Sequence, residues 1–124
     1  MEEKTPNIMN VSMEIILHAG DARENNLMAI DAIAEFDFES AKKHLENATT
    51  NITVAHKMQT DQIQDETRGK KSEYSLLFAH AQDTLMTINS EILMSEKLIK
   101  TFESVYNKIN ELEEKVLKLS DENE

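Results

Sequence analysis

The chain has 124 residues, the length of a single domain, and a formal net charge of -11 from 24 acidic against 13 basic residues. That balance argues against a nucleic-acid surface, which needs Lys and Arg to displace phosphate counterions. It suits a protein partner with a basic face, met through opposite-charge steering. With no cysteine there is no disulfide framework, no thiolate nucleophile and no cysteine-based zinc site.

The N-terminus opens on Glu2 and Glu3 rather than on a basic then apolar leader. No apolar run approaches the roughly 20 residues that span a bilayer. The expected location is cytoplasmic. Two glycines and one proline in the whole chain, among abundant Glu, Lys, Leu, Met and Ala, make a helical composition.

After an N-terminal tail of residues 1–7, apolar positions Ile8, Val11, Ile15, Ala19 and Ala22 recur at three and four, with Ile16, Leu27, Ile30 and Ala34 beside them. This predicts a first helix over 8–34. Gly20 costs about 1 kcal/mol there against alanine, so it marks either a close helix crossing or simple tolerance. Glu35, Phe36 and Asp37 break the pattern, and Asp37 is placed to cap a second helix over 37–65. Its stripe is Phe38, Ala41, Leu45, Ala48, Ile52, Ala55 and Gln59, a seam suited to near-parallel packing.

The polar cluster from Glu66 to Lys71 contains Gly69 and reads as a loop, with Ser72 as the next cap. A third helix is predicted over 72–119, ending in the alternation Leu98, Phe102, Val105, Ile109, Leu112, Val116, Leu119. Residues 120–124 form an acidic tail that should fray.

Short loops force antiparallel neighbours, so the expected fold is all-α: one up-down-up three-helix bundle over 8–119. The third helix, about 70 Å long against about 40 Å for each of the others, overreaches its partners. Its apolar seam then has no cover in its own chain, which predicts a parallel homo-oligomer aligned on helix three.

Histidine is the side chain that titrates near neutrality without perturbation, and the chain has His18, His44, His56 and His80. His44 lies among charges and His18 beside Ala19 and Gly20, both read as structural. Around His80 polar groups interrupt an apolar helix: His80, Asp83 and Thr87 share one face, flanked by Leu76, Leu77, Phe78, Leu85 and Met86. Taken alone, His80 and Asp83 read as a satisfied local pair. If helix three self-associates here, copies of Asp83 converge and repel or protonate, and a shared oxygen-seeking cation such as Mg²⁺ would relieve them. Phosphate loops, HExxH pairs and serine triads have no counterpart in the sequence.

The string Ala79, His80, Ala81, Gln82, Asp83, then Leu85, Met86, Thr87, resembles the H-[AG]-Q-D-H-L-M-T signature of lactose/cellobiose-class enzyme IIA components of the phosphoenolpyruvate-dependent sugar phosphotransferase system. Ala19 to Arg23 is similar to that family's AGDAR-type segment, and Ala55, His56, Gln59, Thr60 to its A-H-x-x-Q-T segment. The motifs occur in the family's order, and the resemblance covers roughly residues 8 to 107.

The resemblance implies a homotrimer in which His80 accepts a phosphoryl group from the histidine-containing phosphocarrier protein and passes it to a cysteine of enzyme IIB, in the uptake of a disaccharide. It assigns Asp83 to one metal ion shared at the trimer axis and Gln82 to the site lining. Thr84 stands where the motif has a second histidine, so a hydroxyl or another group must take that role. The seam from Ile109 to Leu119 also continues past the point where the family's chains tend to end. A rival reading keeps the bundle as a non-catalytic interaction or regulatory module.

Overall fold

Asp37 ends one helix and begins the next, and the chain reverses around it. In the computed structural model, which describes residues 7–70 and 74–123, the elements are α1 (Ile8–Ala34), α2 (Phe38–Thr67) and α3 (Leu76–Glu122). All three helix pairs are in contact, and no strand occurs among the described residues.

The two turns share one hydrogen-bond scheme with different residues. After α2, Gly69 takes φ +85°, its N–H donates to the Glu66 carbonyl, and the Lys70 N–H donates to that of Asp65. This is the usual left-handed glycine termination of a helix. After α1 the same pair of bonds runs from Phe36 to Ile33 and from Asp37 to Ala32. Here a phenylalanine holds φ +58°, at a cost of about 1–2 kcal/mol to a side chain that carries a Cβ. Aromatic contact offsets it: the Phe36 ring lies 5.3 Å from that of Tyr106 and 6.1 Å from that of Phe38, and Phe38 lies 5.7 Å from Tyr106. The Asp37 carboxylate accepts from the Ser40 N–H at 3.2 Å, the cap expected from the sequence.

The start of α3 differs from expectation. Its cap is Ser75, whose hydroxyl accepts from the Phe78 N–H at 3.1 Å, while Ser72 and Lys71 lie outside the described residues, as does most of the N-terminal tail. At the other end α3 continues through Ser120 to Glu122 where fraying was expected. No proline or glycine interrupts it there, and each added residue closes a further backbone hydrogen bond.

The core follows the three predicted stripes. It is rich in alanine, with Ala19, Ala22, Ala29, Ala41, Ala48, Ala55 and Ala81 fully buried, and Ile15, Leu85 and Ile88 supply its bulk. Small side chains let helices approach at the short end of the usual 8–10 Å spacing. Two polar atoms in the α1/α3 seam, Asn26 Oδ1 and Ser95 Oγ, are buried without a hydrogen-bond partner.

Gly20 does not mark a crossing. It faces outward, and a Cβ placed there would meet nothing within 4 Å, so tolerance is the correct reading. The two glycines should therefore respond in opposite directions. Gly20→Ala should stabilise by up to about 1 kcal/mol through helix propensity, and Gly69→Ala should destabilise by about 1 kcal/mol through its left-handed backbone. Thermal melts of the two variants check this; the same sign for both would contradict it.

Candidate functional site

α3 presents two faces. Phe78, Ala81, Leu85, Ile88, Ile92, Ser95 and Ile99 turn into the bundle. The opposite face carries His80, Asp83 and Thr87, all exposed, one turn apart. Gln82 and Thr84, half-buried, flank Asp83 on either side.

The local pair expected between His80 and Asp83 does not form. Among the described residues neither side chain makes a hydrogen bond or an ion pair. The imidazole is thus exposed with both ring nitrogens unengaged by the described residues. Within a single chain there is likewise no group of three or more His, Cys, Asp or Glu among the described residues that could hold a metal ion.

The two other motif segments serve mainly as packing. Ala19 and Ala22 on α1, and Ala55 and Gln59 on α2, are buried. His56 is exposed, and its Nδ1 lies 3.5 Å from the Thr60 hydroxyl, at the limit of a hydrogen bond. His18 and His44 are half-buried.

Arg23 is the member of these segments that reaches α3. Its Nε and Nη2 donate to the two Glu91 carboxylate oxygens at 3.2 and 3.0 Å. Such a fork-to-fork contact fixes helix register as well as adding energy. The hydrogen bond raises the Arg23 pKa above its ordinary value, slight burial opposes this, and the Glu91 charge adds to it. A second ion pair, Lys42 Nζ to Glu103 at 3.0 Å, sets the antiparallel register of α2 on α3. Glu91 had no signal in the sequence, since a contact 68 residues away leaves no local pattern.

Beside the Arg23–Glu91 bridge, an open groove of about 400 Å³ runs between α1 and α3, lined among others by Asn26, Leu27, Ile30, Met94 and Leu98. No described helix is long and apolar enough to cross a membrane.

Comparison with known proteins agrees with this fold. Residues 10–103 match the family described as the phosphotransferase system, lactose/cellobiose specific IIA subunit. The lichenan-specific phosphotransferase enzyme IIA component of Bacillus subtilis is 39% identical, over 78% of this chain and 93% of that protein. The crystal structure of the cellobiose-specific enzyme IIA from Bacillus anthracis superposes with a TM-score of 0.78 at 28% identity, covering 85% of this chain and 96% of the other. The IIA(chitobiose) chain of Escherichia coli, solved in complex with HPr, superposes with a TM-score of 0.72 at 27% identity, covering 82% and 99%.

Arg23 and Glu91 remain 45% and 40% exposed, so solvent screens their attraction. A double-mutant cycle with Arg23→Ala and Glu91→Ala should give a coupling of about 0.5 kcal/mol, shrinking with added salt. A coupling of several kcal/mol, or one indifferent to salt, would contradict this account.

Proposed function

Since the chain belongs to the lactose/cellobiose-specific IIA family of phosphotransferase components, we propose that His80 is its phosphoryl acceptor. It takes the group from the histidine-containing phosphocarrier protein and passes it to a cysteine of a cognate enzyme IIB, in the cytoplasm, during uptake of a lactose/cellobiose-type disaccharide. One observation carries the reading: His80 is exposed in the second turn of α3, makes no hydrogen bond or ion pair among the described residues, and lies within the matched segment.

The chemistry follows from that exposure. A neutral ring nitrogen of His80 attacks the phosphorus in line; the N–P bond to His80 forms as the N–P bond to the donor histidine breaks. In the second step a cysteine thiolate attacks the same phosphorus and His80 recovers its lone pair. The acidic surface suits partners with basic docking faces, and a related chain has been solved in complex with HPr.

Assembly completes the site in this proposal. Three copies of α3 meet along the exposed face as a homotrimer, and three Asp83 carboxylates converge on one axis. Like charges that close repel. An oxygen-seeking cation such as Mg²⁺ suits those carboxylates, with water completing its shell; when bound it supplies charge neutralisation at the axis. Gln82 and Thr84 line the site on either side. A second reading rests on Thr84: without the motif's second histidine, the same bundle could serve as a non-catalytic or regulatory interaction module.

Incubation with labelled phosphoenolpyruvate and the general phosphotransferase components separates the two. Label should enter the wild-type chain and be lost in His80→Ala. Thr84→His should speed transfer, and Asp83→Ala should remove any dependence of particle size on Mg²⁺. No label on wild type, or equal label on His80→Ala, would sink the carrier reading.

A further inference from the structure

We propose that residues 102–119 of α3 form a parallel, in-register coiled coil with the same segment of other copies of this chain, and that Lys108 and Glu113 pair across the contact to set its direction. Past Tyr106 the segment leaves its own bundle, and Ile109, Leu112, Val116 and Leu119 are all exposed. The last aromatic contact with the α1/α2 turn is made by Tyr106, and α3 continues to Glu122. It also lies almost wholly outside the family match, which ends at residue 103.

Its apolar side chains are too regular to be incidental. Phe102, Ile109 and Val116 repeat every seven residues, as do Val105, Leu112 and Leu119. Val105 is 40% exposed and Leu112 and Val116 are 61% and 64% exposed. From Ile109 onward, β-branched residues alternate with leucine, the pairing that packs knobs into holes between parallel helices.

Charge decides what covers this seam. Lys108 immediately precedes one seam residue, Ile109, and Glu113 immediately follows another, Leu112. In a parallel, in-register pair, Lys108 of one copy faces Glu113 of the next. In an antiparallel pair the same flanking positions meet their own kind, lysine against lysine and glutamate against glutamate. The other charges are used within the helix, since Glu111 precedes Lys115 and Glu114 precedes Lys118 by four residues, the favourable order. A second copy of this chain therefore matches the seam in shape, charge and direction.

The seam also runs on along one helix face. Going back from Val105 through Leu98, Met94 and Thr87, steps of four and seven lead to Asp83. In-register pairing of the extension would hold the Asp83 side chains of different copies at one level, a consequence that rests on the carrier reading above.

The absence of native cysteine makes the test clean. In the full chain, Leu119→Cys should cross-link rapidly to a two-chain species on mild oxidation, and Glu114→Cys, on the back of the helix, should do so many-fold more slowly. Equal rates would overturn the proposal. Lys108→Glu should weaken association several-fold and the added Glu113→Lys should restore it; failure to restore would overturn the pairing. Light scattering on the wild type separates this inference from the previous one. Three chains per particle support both, two support the seam while removing the threefold Asp83 arrangement, and a monomer at all concentrations overturns the seam. Loss of label at His80 with cross-linking intact would sink the carrier reading alone.

Discussion

The burial of one face of α3 against α1 and α2 is the contact on which the rest of the molecule depends. Phe78, Ala81, Leu85, Ile88 and Ile92 are in the core, and their burial, worth roughly 1.5–3 kcal/mol for each large side chain, holds the helix at a fixed rotation. Once that rotation is set, the position of every other residue on α3 follows from helical spacing. His80, Asp83 and Thr87 point outward because Ala81, Leu85 and Ile88 point inward. The exposed imidazole is thus a by-product of core packing, and no dedicated hydrogen bond among the described residues is needed to aim it.

Alanine on α1 and α2 makes this arrangement sensitive to register. Buried Ala19, Ala22, Ala48 and Ala55 leave little side-chain volume between helices, so backbones approach closely and register errors would open gaps or clash. The Arg23–Glu91 fork and the Lys42–Glu103 pair contribute little energy at their exposure. Their role is to discriminate between registers that alanine faces alone would tolerate. The buried, unpartnered Asn26 Oδ1 and Ser95 Oγ run counter to this economy, a cost of about 1–3 kcal/mol each if left unpaired.

Much of the fold was legible because it is periodic. The stripes of α1 and α2, the Asp37 cap and the apolar seam at the end of α3 are all local patterns that the sequence displays. Features that depend on distant residues were not legible. Phe36 adopts a left-handed conformation in which its ring meets those of Phe38 and of Tyr106, 70 positions away, and nothing in Glu35-Phe36-Asp37 announces it. Glu91 was passed over for the same reason. Residue type does not separate Ser72 from Ser75 as a cap for α3; what marks Ser75 is that Leu76 and Leu77 directly follow it. At the site, the grouping of His80, Asp83 and Thr87 on one face was legible, but their exposure was not. That depends on which side of α3 the core takes.

The site and the extension make opposite demands on the same helix. A phosphoryl carrier must expose its histidine to successive partners, so under the proposed role of His80 the surface around it has to stay open. A seam of exposed leucine, valine and isoleucine must instead be covered, because apolar area left in water favours association with whatever is nearest. α3 separates the demands along its length: polar side chains one turn apart around Asp83, then an almost unbroken apolar seam from Leu98 to Leu119. Beyond Tyr106 no described residue of the single chain covers that seam, and the cover must not reach so far back that it buries His80. A parallel contact over residues 102–119 satisfies both conditions, because it covers the seam and begins well past the turn that carries His80. An antiparallel contact with the same overlap would also stop short of His80, since Glu122 of one copy would lie about level with Ile99 of another, so the direction is decided by the charges of Lys108 and Glu113 rather than by access to the imidazole.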